Sequence, residues 1–240
     1  MEYSFFRRKF AGLDSIVCPG DPDDPVIIFC HGYGANADNL AFFPSACPFK
    51  GIRPTWVFPH GIEQLSYEFG GGRAWFPLDV PLFQSLISNP DITPETEEQY
   101  QKLFNIDFEK PKAALENLIE ELDCPRYDII LGGFSQGAMI TTHLILSSKI
   151  PYRGALICSG ALLLDKGWEN NIHLCAKVPF IQSHGYQDAI LPYYHGERLN
   201  KLLSSRLHGE FISFNGGHEI PALVLQKMQE TLPLWTSTFS

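Results

Sequence analysis

The stretch Tyr127–Leu146, "YDIILGGFSQGAMITTHLIL", decides the fold. Its first seven residues are a short, apolar, β-branched run, the pattern of a strand buried on both faces. From Gln136 the composition predicts a helix over 136–148. Between the two lies Gly133-Phe134-Ser135-Gln136-Gly137, a G-x-S-x-G. The five letters alone fit any tight turn. With a strand before and a helix after, they predict a sharp elbow that presents a serine at the edge of a sheet. Such an elbow strains the serine backbone, and Gly133 and Gly137 let the neighbouring chain approach without a Cβ clash. Ser135 is therefore the candidate nucleophile, lying near the positive end of the following helix, where a developing oxyanion is favoured.

The strand pattern recurs outward from this point. "PVIIFCH" (25–31), "TWVFP" (55–59), "GALICSG" (154–160) and "VPFIQSHG" (178–185) are further buried-strand candidates, and "GEFISFNGG" (209–217) alternates more weakly, as nearer an edge. "EYSFFRRKF" and "LDSIVCP" meet at Ala11-Gly12 and predict an N-terminal antiparallel hairpin. Helices fill the gaps. Residues 109–123 place Leu115, Leu118, Ile119 and Leu122 on one face, with Pro111 in the first turn. Two more are expected over 194–206 and 221–232, the latter with Leu225, Met228 and Leu232 on one stripe and limited by Pro233. This alternation predicts an α/β fold in one domain over 1–240, with a mostly parallel central sheet and helices on both faces. Residues 60–108 lack a period but are rich in Gly, Pro and aromatics, which predicts an ordered, pocket-forming excursion over the top of the sheet.

Composition narrows the function classes. With 45% apolar and 19% charged residues, the 240-residue chain can bury a sizeable core. A net charge of −9 argues against nucleic acid or an anionic membrane as the main partner. Arg7, Arg8 and Lys9 follow Phe5 and Phe6 at once, so no signal peptide is expected. No apolar run is long enough for a membrane anchor. Cys18, Cys30, Cys47, Cys124, Cys158 and Cys175 are scattered without a C-x-x-C. They read as buried thiols of a cytoplasmic protein, not as disulfides or metal ligands.

A serine needs a base, and on this type of sheet the expected order is Ser, acid, His. His218, in "NGGHEIP", follows the last strand and two glycines, and is the favoured base. His184 ends a buried strand and reads as structural, and His195 opens a helix and reads as surface. Asp188, in "SHGYQDAILP", is the favoured acid, with Asp165 in "GALLLDKG" as competitor. The oxyanion hole needs two backbone N–H groups, one from Gln136 and one from the loop after strand 25–31, where Tyr33 is the choice. His31 in that loop reads as structural. Apolar walls near Ser135 are expected from Trp75, Phe76, Leu78, Leu82, Leu162 and Leu163.

Four stretches in order, "IFCHGYGANADNL", "GGFSQGAM", "HGYQDAILP" and "NGGHEIP", resemble the phospholipase/carboxylesterase family of α/β-hydrolases, which includes the acyl-protein thioesterases. They span residues 25 to 221. "RAWFPLD" resembles the family's W-F-D segment, but Pro77 and Leu78 separate Phe76 from Asp79. The resemblance implies hydrolysis of carboxylic esters or thioesters through an acyl-enzyme, with no cofactor. It implies a small ester or acylated substrate, and allows a homodimer. The readings it competes with are a non-catalytic α/β-hydrolase, marked by a missing triad member, and a peptidase or a dienelactone-type hydrolase, the last usually with Cys in the elbow.

Overall fold

The computed structural model describes residues 3–66, 71–88, 93–103, 106–162 and 166–237. In chain order, β1 (Phe6–Phe10), β2 (Leu13–Cys18) and β3 (Val26–Cys30) come first, followed by a one-turn α1 (Phe43–Ala46) and β4 (Thr55–Pro59). Two short strands, β5 (Glu63–Gln64) and β6 (Arg73–Ala74), precede α2 (Val80–Ser88), α3 (Pro94–Leu103) and α4 (Glu109–Glu121). Then β7 (Ile129–Phe134), α5 (Gln136–Ser147), β8 (Gly154–Cys158), α6 (Lys166–Asn171), β9 (Phe180–Gly185), α7 (Tyr193–Ser204), β10 (Gly209–Phe214) and α8 (Ala222–Ser237) alternate to the end.

Eight strands form one sheet in the order β1-β2-β4-β3-β7-β8-β9-β10. The pairs from β4 to β10 are parallel, while β1 and β2 pair antiparallel and β2 runs antiparallel to β4. This is the mostly parallel sheet with an N-terminal hairpin that the strand–helix rhythm predicts, and it is the α/β-hydrolase architecture. Side chains of the central strands alternate between two cores, because successive Cβ atoms leave opposite faces. In β3, Ile28 and Cys30 join the core that receives α4, α5, α6 and α7, while Ile27 and Phe29 join the core under α1 and α8. Both faces are thus apolar, which is why these strands carry no polar alternation.

Helices α2, α3 and α8 depart from expectation. The excursion, expected to lack a period, contains α2 and α3, both of them amphipathic. The helix expected to stop at Pro233 continues through it to Ser237. Pro233 removes one donor from the helix ladder, but the last turn is held from outside. Trp235 packs on Gly154, where a Cβ would lie 2.2 Å from the indole, and Arg153 donates to the carbonyls of Trp235 (3.1 Å) and Thr236 (3.5 Å). Among the described residues, no helix is long and apolar enough to cross a membrane.

Candidate active site

The sheet brings the candidate residues to one edge. Tyr33 follows β3, Ser135 follows β7, Asp188 follows β9 and His218 follows β10, so all four leave the carboxyl ends of parallel strands. Ser135 has φ 56° and ψ −118°, a conformation unusual for a residue with a Cβ. The turn is locked by close approach. A Cβ on Gly133 would lie 2.2 Å from the Gly137 carbonyl oxygen, and one on Gly137 would lie 2.1 Å from that of Cys30. The Ser135 N–H donates to Cys158 O at 2.9 Å, tying the elbow to β8.

His218 Nδ1 donates to Asp188 Oδ2 at 2.7 Å. Asp188 has a fully buried side chain, and its other oxygen accepts from the N–H groups of Ile190 (2.9 Å) and Leu191 (2.8 Å). Burial by itself raises the pKa of this carboxyl, yet the hydrogen bonds from His184, His218 and Leu191 win and hold it below the ordinary carboxylate range. His184 Nε2 lies 2.7 Å from Leu191 O and 3.3 Å from Asp188 Oδ2, so it steadies the acid loop. That loop is also bonded to the histidine loop. Gln187 N–H donates to Gly216 O at 2.9 Å, its side chain to Asn215 Oδ1 at 3.0 Å, and Gly185 lies where a Cβ would come within 2.3 Å of the Gly216 and Gly217 oxygens.

Tyr33 lies on a loop held from below. His31 Nδ1 donates to Gly32 O at 2.7 Å and its Nε2 accepts from Gly61 N at 2.8 Å, which sets the neutral tautomer. Burial lowers its pKa to about 4, with the Gly32 contact opposing. The backbone N–H groups of Tyr33 and Gln136 have no partner among the described residues. Both residues face a cavity of 230 Å³ together with Ser135 and His218. Its remaining walls are Gly32, Ala35 and apolar side chains: Phe76, Leu78, Phe83, Phe134, Met139, Ile190 and Leu191.

The sequence profile of the Phospholipase/Carboxylesterase family matches residues 11–236. The chain belongs to this family. Membership makes it a hydrolase acting on esters or thioesters. It is 28% identical over 217 residues to acyl-protein thioesterase 1 homolog 1 of Dictyostelium discoideum, covering 86% of this chain and 90% of that one. Among solved structures it resembles esterase PE8, with a TM-score of 0.71 and 21% identity over 98% of this chain and 99% of that one. It also resembles acyl-protein thioesterase 2 of Zea mays, with a TM-score of 0.67 and 19% identity over 92% of this chain and 98% of that one. At these identities the two structures speak for the fold alone.

The walls differ from those expected within this family frame. Phe76 and Leu78 line the cavity, but Trp75 and Leu82 do not. Trp75 is turned inward, fully buried, with its indole N–H donating to His31 O at 2.9 Å. The chain bends at Trp75 and Phe76 after β6, and only Phe76 of the two reaches the cavity. Leu82 packs on the large core, and Leu162 faces a separate depression with Glu169, Arg198 and Lys201. Leu163 and the competing Asp165 lie outside the described residues. His195, expected at the surface, is buried, and burial lowers its pKa to about 3. Phe83, Met139, Ile190 and Leu191 are wall residues that sequence reasoning missed. Met139 carried a usable signal, since it stands four residues after Ser135, one helical turn along the same face.

Proposed function

We propose that the protein cleaves carboxylic esters or thioesters of apolar acyl groups with Ser135, His218 and Asp188 as its triad. Ser135 Oγ attacks the acyl carbon as His218 Nε2 takes the hydroxyl proton. Asp188 holds the ring through Nδ1 and offsets the charge of the imidazolium. The oxyanion is met by the N–H groups of Tyr33 and Gln136, donors commonly worth about 3–4 kcal/mol each. Collapse breaks the acyl–oxygen or acyl–sulfur bond, and the imidazolium returns its proton to the leaving alcohol or thiol. Water, deprotonated by the same imidazole, then hydrolyses the acyl-enzyme. As the acyl–Oγ bond breaks, the imidazolium returns that proton to Ser135 Oγ and the enzyme is regenerated.

The observation that carries this reading is the 2.7 Å pairing of His218 with a buried Asp188 at a cavity that also holds a serine of φ 56°. Apolar walls and a volume of 230 Å³ suit an acyl chain. S-acylated thioester and O-acyl ester substrates both fit the site. The six free thiols, five of them buried, suit a reducing compartment, and we place the protein in the cytoplasm. Hydrolysis of p-nitrophenyl esters and of a palmitoyl thioester by the wild type and by Ser135→Ala tests the proposal. The substitution is expected to lower kcat/KM at least about 10³-fold with the fold retained. An unchanged rate would remove Ser135 from the mechanism.

A further inference from the structure

Gln136 borders the cavity, but its carboxamide is buried and bonded to the excursion. Its Oε1 accepts from Trp75 N at 2.8 Å, and its Nε2 donates to Phe76 O at 2.8 Å. One side-chain amide thereby pairs with the backbone of two successive residues, which turns both groups to one side and fixes the bend after β6. Only a group with a donor and an acceptor on one short plane does this, and Gln has the reach.

The strip it holds is bonded on its other side to the Tyr33 loop. Gly34 N donates to Arg73 O at 3.0 Å, Arg73 N donates to Ala35 O at 2.8 Å, and the Trp75 indole reaches His31 O at 2.9 Å. The approach is so close that a Cβ on Gly72 would lie 1.9 Å from Gly34 O. Phe76, at the end of the strip, forms a cavity wall and is backed edge-on by Phe108, with ring centroids 5.2 Å apart. The nucleophile elbow, the Tyr33 loop and the Phe76 wall are therefore one hydrogen-bonded unit, and the Gln136 side chain closes it.

We propose that Gln136 is a specificity-determining residue through its side chain: by clamping Trp75 and Phe76 it fixes the acyl wall against the oxyanion hole, so that acyl-chain contact aligns the reacting carbonyl. This rests on the esterase reading above. Binding energy from a remote part of the substrate then appears at the chemical step, and longer chains gain in kcat as well as in KM. A two-carbon acyl group does not reach the wall and gains little.

The test compares wild type, Gln136→Met and Gln136→Glu on p-nitrophenyl acetate and octanoate, with hydrogen–deuterium exchange of the peptide spanning 73–77. Met keeps the volume and the backbone N–H but neither hydrogen bond. Glu keeps the acceptor for Trp75 N and loses the donor to Phe76 O, and it carries the test if the Met variant does not fold. The octanoate-to-acetate ratio of kcat/KM is expected to fall at least about tenfold in Met and less in Glu, with faster exchange at the Trp75 amide in Met. An equal loss on both esters, or unchanged exchange, overturns the proposal. If the wild type hydrolyses neither ester, the esterase reading fails, and exchange alone decides whether the clamp exists.

Discussion

Ser135 and its glycines show how much chemistry a few residues enforce. The positive φ of Ser135 is tolerated because the chain on either side has nowhere else to go. Gly137 presses on Cys30 O and His31 O, where a Cβ would lie at 2.1 and 2.6 Å. Both neighbours are backbone and cannot swing aside. Gly137→Ala is expected to cost about 2–3 kcal/mol, the range for forcing extra volume into a packed site. Urea unfolding reads this, and an unshifted midpoint would show that the contact relaxes. This much was legible in the sequence, because the glycine requirement follows from the local strand–turn–helix pattern. The side-chain role of Gln136 was not, because its partner Trp75 lies 61 positions earlier in the chain.

At the scale of elements, α2 supplies a wall of the cavity. It packs Leu86 into the core and places Phe83, one turn before it on the same face, at the cavity. The helix is only nine residues long and follows the irregular stretch around Pro77, so its period is lost when residues 60–108 are read as one segment. Phe83→Ala is expected to enlarge the cavity and move the acyl optimum toward longer chains. A several-fold rise in the decanoate-to-butanoate ratio of kcat/KM would show it, and a fixed optimum would place the chain elsewhere. The α8 helix makes the opposite point. Local propensity predicts a stop at Pro233, while packing of Trp235 on Gly154 and the donors of Arg153 extend it. Trp235→Ala is expected to lower stability by about 1–3 kcal/mol, less than for a fully buried tryptophan, and thermal unfolding measures it.

For the whole molecule, the two buried neutral histidines set a response to acid. Burial holds His31 near pKa 4 and His195 near 3, against 6.5 for an ordinary imidazole. The unfolded chain takes up protons below about pH 6.5 that the folded chain refuses. Stability contributed by the neutral rings is present above that pH and is lost as pH falls toward 4, by on the order of 3 kcal/mol per ring. Asp188 adds to the loss further down. Its lowered folded value gives stability that is present above the ordinary carboxylate pKa and disappears as pH drops below it. Urea midpoints are therefore expected to decline steadily from about pH 7 to about pH 4.5. A flat profile over that window would mean the two rings take up protons in the fold.

The sequence by itself determined the strands of the central sheet, helices α4, α5, α7 and α8, the elbow at Ser135, and the loops that carry Tyr33, Asp188 and His218. These depend on runs of a few residues, and on the rule that parallel strands deliver their following loops to one edge. Tertiary structure alone decided that Trp75 turns inward while Phe76 faces the cavity, that Phe83 completes the walls, that His195 is buried, and that Gln136 reaches back to the excursion. Those are contacts between segments far apart in the chain, in a region where apolar residues surround apolar residues. Nothing local distinguishes a side chain that lines a cavity from one that fills the core, since both are chosen for the same exclusion of water.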